Sequence, residues 1–409
     1  MQNELPLSGI KVLELANVLA GPSVGMFLAE LGAEVVKLEN APAGGDVTRT
    51  WKLPSESRET DISAYFSSVN WGKKSIALNI ALPQGLHLLY QLVKQCDIVL
   101  VSYKPGDAEK LKTDYQTLAK HNPRIIYAQL TGYGPHNSRA GYDAIIQAEG
   151  GFTYMNGEAG QPPVKMPVAL MDILAAHQMK EAILVALLHR QKTGQGQCIQ
   201  VSLLQSAIAS LANQATNWLV GNSIPQRMGS DHPNIAPYGT IYSSADGKEI
   251  VLAVGTDKQF SALCKVLEIP ELALDERFAQ NLSRVQNREA LNQILIQRIS
   301  QYDRNSLLAA LEQNHVPAGG VLNMKEVFEQ PEAEQMLSKG FLKSGTSISG
   351  VRNQAFHLSG FPNSGSLIPP PALAQDTEHI LQDWLNLSKT EIAGLLSQGV
   401  AYGAKLSEK

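Results

Sequence analysis

A chain of 409 residues with 44% hydrophobic and 18% charged content is long and apolar enough to bury a large core, which excludes a disordered or fibrous polypeptide and suggests two lobes. A formal net charge of -4, with lysine and arginine scattered along the chain, excludes the basic footprint that nucleic acid needs, so a small-molecule partner is expected. Cys96, Cys198 and Cys264 are odd in number, far apart and lack metal-ligand spacing, which fits a reducing compartment with no disulfide framework and no metal site.

The opening Met1-Gln-Asn-Glu-Leu-Pro6 carries no basic or apolar signal segment. No stretch approaches the roughly 20 apolar residues of a membrane span. A cytoplasmic location without a membrane partner is therefore expected. Short apolar runs then alternate with amphipathic ones: a strand at Lys11 to Leu15, a helix from Pro22 to Leu31, and strands at Glu34 to Leu38 and Ser75 to Ile80. A helix from Pro83 to Gln95 and strands at Asp97 to Val101 and Arg124 to Leu130 continue the alternation, which predicts an α/β fold with a parallel sheet covered by helices.

An apolar segment, Pro167 to Met171, runs into Asp172 and a helical stretch from Ile173 to Lys192, stopped by Thr193 and Gly194. Asp172 has an ordinary reading as an N-cap, its side chain accepting from the first-turn N–H groups. Gly, Ser, Pro, Asn and Asp dominate Gly221 to Tyr238, which reads as a linker. Thr240 to Ser243 and Glu249 to Ala253 flank the Asp246-Gly247 hairpin signal, and helices follow at about Lys258 to Glu268, Arg288 to Ser300 and Asn305 to Asn314. These make a smaller α+β lobe. The tail holds Pro369 to Pro371 and one amphipathic helix, Thr377 to Ser397.

Pro167-Val-Ala-Leu-Met-Asp172 and the later Arg190 to Leu203 run resemble the class III coenzyme A transferases, the CaiB/BaiF family of formyl-CoA and carnitine CoA-transferases. The resemblance extends over Leu7 to Leu15, Ala20-Gly-Pro22, Leu31 to Glu39, Gly45-Asp-Val-Thr-Arg49, Gly72 to Leu78, Asn122 to Tyr127, Gly141-Tyr-Asp143 and Ala236-Pro-Tyr-Gly239, and so covers most of the chain. It implies a large Rossmann-like lobe begun by residues 1–220, a linker at 221–238, a small α+β lobe at 239–325, and a return segment with a C-terminal helix, 326–409, that completes the large lobe. It also implies an interlinked, ring-like homodimer.

The activity so implied is transfer of coenzyme A from an acyl-CoA, such as succinyl-CoA or another dicarboxylyl-CoA, to a small carboxylic acid. CoA is then a substrate, with no permanently bound cofactor. Asp172 is the expected nucleophile: a carboxylate with an unperturbed pKa of about 3.9 is ionised at neutral pH and needs no partner base. By motif match the adenine and phosphates meet Leu78, Asn79, Ile80, Ala81, Ser102, Tyr103, Lys104, Lys110 and Arg139, while Leu19, Ala20, Tyr142 and Asp143 line the pantetheine path. Gly229 and His232, in Met228-Gly-Ser-Asp-His-Pro233, are expected at the oxyanion and acceptor.

Competing readings are weaker. Gly21-Pro-Ser-Val-Gly25 fits a hydrolase elbow around Ser23 but lies too near the N-terminus and lacks an HGGG-type segment, so small residues allowing a tight turn against a ligand are preferred. Glu39 stands where a dinucleotide fold places its ribose-binding acid, yet no G-x-G-x-x-G precedes it. An α-methylacyl-CoA racemase shares the resemblance but has a His where this chain has Tyr142, and a Gly-rich run after the aspartate where this chain has Ile-Leu-Ala-Ala. A CoA-binding protein without turnover is disfavoured by the intact Asp172. His87, His121, His177 and His189 read as helix-surface or cap residues.

Overall fold

The computed structural model describes residues 4–361 and 367–404. The first three residues of the N-terminal segment, and 362–366 and 405–409 of the return segment, lie outside the described residues. The chain divides into two compact units, one of 1–150, 167–212 and 335–409, the other of 151–166 and 213–334.

The first unit is built on six parallel strands: β1 (Lys11–Leu15), β2 (Glu34–Glu39), β3 (Lys73–Leu78), β4 (Ile98–Val101), β5 (Ile126–Thr131) and β6 (Gln197–Ser202). Their order is β3-β2-β1-β4-β5-β6, with the short strand Ala401–Tyr402 added antiparallel to β3. The expected α/β class with a largely parallel sheet is thus realised, and strand succession reverses between β1 and β4. The principal helices are α1 (Ala20–Glu30), α2 (Pro83–Gln95), α3 (Asp143–Glu149) and α4 (Leu170–Thr193).

Successive strand residues point to opposite faces. On one face Leu13, Leu15, Val36, Leu38, Ile76 and Leu78 join a core with Leu89, Leu92 and Val93 of α2. The other face is different, because Glu14, Lys37 and Glu39 are fully or almost fully buried there. The β1–β2 register sets Glu14 directly beside Lys37. Lys37 Nζ lies 3.1 Å from Glu14 and 3.0 Å from Asp46, and Lys73 Nζ lies 2.8 Å from the second Glu14 oxygen. Glu39 pairs with Arg49 at 2.6 Å and accepts from Ser75 Oγ, also at 2.6 Å. Ions buried this way survive only when each is paired and hydrogen-bonded, and here backbone carbonyls of Ala16 and Pro22 complete the two lysines.

The return segment closes the β3 edge. Asp376 accepts from the Ser75 N–H at 2.9 Å, Thr377 Oγ1 from Ala77 N–H at 3.0 Å, and Val400 O from Asn79 N–H at 2.8 Å. An edge left open would present unpaired backbone groups to other chains. The tail is not the single helix expected over Thr377 to Ser397. Two helices form, Thr377–Leu385 and Lys389–Ser397. Asn386 adopts the left-handed region at φ 55°, and Ser388 starts the second helix with a capping box to Glu391.

In the second unit the Tyr238–Ser243 and Glu249–Ala253 strands form the expected Asp-Gly hairpin, extended by Ala318–Gly320. Helices Asp257–Val266, Arg288–Ile299 and Arg304–Gln313 pack Phe260, Leu263, Leu291, Leu295, Leu307 and Leu311 against Tyr242, Ile250 and Leu252.

A side chain at Gly25 would place its Cβ 1.9 Å from Glu14 Oε2, an atom pinned by Lys73. Gly25→Ala is therefore expected to destabilise the protein by about 3 kcal/mol, read as a lower urea midpoint; an unchanged midpoint would mean that Glu14 is free to move.

Candidate active site

The strand order reverses between β1 and β4, and sheets of this kind usually take their ligand outside the carboxyl ends of the strands at that point. The chain leaving β1 as Ala16-Asn-Val-Leu19 is tied to the end of β4 by Asn17 N–H donating to Ser102 Oγ at 3.0 Å. Leu19 caps α1 with its backbone alone, and Ala20 is the first residue of that helix.

Asp172 is the third residue of α4. The helix begins earlier than the sequence suggests, with Ala169 as a cap that makes no side-chain bond, so Asp172 is not an N-cap. Asp143 does the capping instead: its Oδ1 accepts from the Met171 N–H at 2.9 Å, and its Oδ2 from Gln147 Nε2 at 2.7 Å. Asp143 opens α3 directly after Gly141 and Tyr142. That turn is packed backbone to backbone, since a Cβ on Gly141 would stand 2.2 Å from Gly132 Cα.

The Asp172 carboxylate has no hydrogen-bond partner among the described residues. Burial, and secondarily the Asp143 charge, raise its pKa to about 7. This corrects the expectation of an unperturbed, fully ionised carboxylate, because a half-buried acid next to a like charge resists ionisation. Tyr65 faces the same charges: burial first, then Asp172, Asp143 and Asp46, push its hydroxyl up. Its ring meets Trp51 edge to face, with centroids 5.0 Å apart. Neither aromatic was singled out from the sequence. The available signal was their nearness to Gly45–Arg49, which alone does not point toward Asp172.

Residues expected at the adenine and phosphates divide by environment. Leu78 is buried in the sheet core, whereas Asn79, Ile80 and Ala81 form the loop beyond β3, with Asn79 Oδ1 accepting from Ala81 N–H at 3.2 Å. Ser102 holds Asn17, and Tyr103 packs against the core, its hydroxyl pushed by burial to about 12. Lys104 is exposed. Lys110 pairs with Asp107 at 3.1 Å; Arg139 pairs with Glu149 and lies 4.3 Å over the Tyr133 ring. Exposed pairs of this kind contribute little to stability. Tyr142 is 62% exposed.

Gly229 and His232 belong to the second unit. Gly229, at φ 61°, donates its N–H to Gly157 O at 2.9 Å. His232 Nδ1 accepts from Asn234 N–H at 3.2 Å, which assigns the ring proton of the neutral imidazole to Nε2. Arg288 donates to His232 O at 2.6 Å.

Other candidates are accounted for. Ser23 is buried and donates to Asn353 Oδ1 at 3.1 Å, and the Gly21 and Gly25 positions pack closely on Ala16 and Glu14. Glu39 is consumed by Arg49 and Ser75. Cys96, Cys198 and Cys264 are free thiols. Among the described residues no acid, His and Cys group has the arrangement of a metal site, and no helix is long and apolar enough to cross a membrane.

Folded Asp172 keeps its proton up to about pH 7, while the unfolded chain releases it near a pKa of about 3.9. Across that window the folded state binds more protons, so native stability falls as pH rises. Asp172→Asn is expected to raise the thermal midpoint at pH 8 by about 2 °C or more and to leave it unchanged at pH 4; equal shifts at both pH values would show that charge is not the cause.

The chain matches the model of CoA-transferase family III over residues 7–377. It is 39% identical to a succinate–glutarate CoA-transferase of Agrobacterium fabrum over 94% of this chain and 97% of that one. It is 38% identical to a succinyl-CoA:glutarate CoA-transferase of Homo sapiens, over 98% and 91% of the two chains. The crystal structure of a CaiB/BaiF family protein from Brucella suis superposes with a TM-score of 0.82 at 38% identity, covering 93% of this chain and all of the other. With a doubly wound sheet, an isolated carboxylate in the first turn of α4 and this breadth of similarity, the chain belongs to CoA-transferase family III.

Proposed function

We propose that the enzyme moves coenzyme A from succinyl-CoA to a short dicarboxylate such as glutarate through a covalent relay on Asp172. The observation that carries this reading is the half-buried Asp172 carboxylate, unpartnered among the described residues and raised to about 7. Such a carboxylate is more basic than an exposed one and still substantially ionised at neutral pH, a useful compromise for a nucleophile. The relatives named for succinate, succinyl-CoA and glutarate support the substrate pair.

In this mechanism an Asp172 oxygen attacks the succinyl carbonyl, the C–S bond breaks, and a mixed anhydride and CoA thiolate result. The thiolate attacks the aspartyl carbonyl, expelling succinate and leaving an aspartyl-CoA thioester. The acceptor carboxylate then attacks that thioester, forming a second mixed anhydride and releasing the thiolate again. Attack of the thiolate on the acceptor's acyl carbonyl makes the new acyl-CoA and restores the Asp172 carboxylate. A thioester is exchanged for a thioester, so no external energy source enters.

Leu19, Ala20, Tyr142 and Asp143 line the pantetheine in this reading, and Asn79 to Ala81, Ser102, Lys104, Lys110 and Arg139 serve the nucleotide end, with Leu78 and Tyr103 as their packing support. Gly229 and His232 serve the oxyanion and acceptor, with His232 Nε2 as the donor. The enzyme works in the cytoplasm as an interlinked homodimer. Exposed Leu184, Val185 and Leu188 along α4 support a partner surface, since apolar side chains in a row on one helix are otherwise a liability.

Asp172→Ala is expected to lower transfer by more than about 10³-fold with CoA binding retained, and retained transfer would end the covalent reading. Incubation of the native enzyme with succinyl-CoA and hydroxylamine should give a hydroxamate at Asp172 by mass spectrometry. The first-order acylation rate should rise with pH through about 7 and then level, because the ionised form attacks; a rate falling over that range would assign the raised pKa to another role.

A further inference from the structure

The turn that carries β1 into α1 contains a backbone oddity. Val18 adopts φ 72°, the left-handed region that a β-branched residue rarely enters. Nothing in the Asn17-Val18-Leu19 sequence favours it, so something outside the turn imposes it. The contact present is the Asp46 carboxylate, whose Oδ1 and Oδ2 lie 3.4 and 3.2 Å from the Val18 nitrogen and accept its N–H.

Asp46 is itself immobilised. It is fully buried, its Oδ1 accepts from Thr48 N–H at 3.0 Å and Thr48 Oγ1 at 2.8 Å, and its Oδ2 pairs with Lys37 at 3.0 Å. Its own N–H donates to Glu39 Oε2 at 2.9 Å. Burial alone would raise its pKa, but the Lys37 charge and the Thr48 donors outweigh that and hold it below the usual range. The carboxylate therefore stays charged and fixed while three segments of chain converge on it.

We infer that Asp46 is a positioning residue for the coenzyme: it holds Val18 in the left-handed conformation that sets Leu19 and Ala20 against the pantetheine. The inference rests on the reading above that Leu19 and Ala20 line that path. With no exposed surface, Asp46 acts through Val18 and does not touch CoA. Its effect falls on affinity more than on the chemical step at Asp172.

The test is Asp46→Asn, which keeps the shape but removes the charge and turns one acceptor into a donor. Expected are a rise in KM for succinyl-CoA of about ten-fold with kcat within about two-fold, and faster amide exchange in peptides covering 16–20. The double variant Asp46→Asn, Val18→Gly should recover most of the lost affinity, because glycine takes the left-handed conformation unaided. A merely structural Asp46 would give no such rescue, and failure of the rescue overturns the inference, as does an unchanged KM. If Asp46→Asn does not fold, the hold is read in the native enzyme: the Val18 amide should exchange at least about 100-fold slower than an open amide, and exchange at the open rate overturns it. Ala20→Trp separately tests the pantetheine path: unchanged CoA affinity there means that the path reading has failed, whereas the exchange data judge Asp46 alone.

Discussion

Glu14 lies between Lys37 and Lys73 on the face of the sheet that α1 covers, and the geometry at the carboxyl edge follows from that contact. Glu14, Glu39 and Asp46 are balanced by Lys37, Lys73 and Arg49, all of them buried. Desolvating such charges costs several kcal/mol each, so the network tolerates only one arrangement of its members. Gly25 is required where α1 crosses Glu14, and Asp46 is held where it reaches the turn after β1. The two lysines differ accordingly. Burial would lower both, but Glu14 and Asp46 outweigh it at Lys37, whereas Lys73, with Glu14 opposed by the nearby Lys37, is held down at about 8.

Asp172 receives the opposite treatment. Each network carboxylate is paired with a buried cation, but Asp172 is left without a partner among the described residues and beside Asp143. Asp143 serves two ends with its two oxygens, binding the Met171 N–H that starts α4 and the Gln147 amide of its own helix. It thereby fixes the position of Asp172 and raises its pKa with the same charge. A carboxylate buried beside a like charge reduces stability, and here that burden falls on Asp172.

The return segment shows how distant sequence completes a local site. Pro371, Leu373, Ala374, Asp376 and Thr377 bind to Arg49, Asp61, Ser75 and Ala77, and Val400 binds Asn79. Glu30, at the end of α1, accepts from the N–H groups of Asn353 and Gln354 at 2.7 and 2.6 Å. The loop after β3, where the nucleotide is proposed to lie, thus depends on residues some 300 positions later in the chain.

Much of this was legible in the sequence because the responsible forces are local. Apolar alternation marked β1 to β5, Asp246-Gly247 marked the hairpin, and the run into Asp172 marked the start of α4 to within a few residues. Ser388-x-x-Glu391 was a readable capping box, although apolar periodicity continuing through Leu385 and Ile392 masked the break at Asn386. The pKa of Asp172, the left-handed Val18, the approach of Tyr65 and the closing of the β3 edge were not legible. Each depends on which groups meet across tens to hundreds of residues, and in one dimension a charged residue in a strand looks the same whether water or another ion receives it. By itself the sequence determined the family and the parallel α/β framework, since these rest on periodicity and motif. Only the tertiary structure decided which charges neutralise one another and which one is left unpaired, because desolvation and Coulomb energy are set by distance in space and not by separation along the chain.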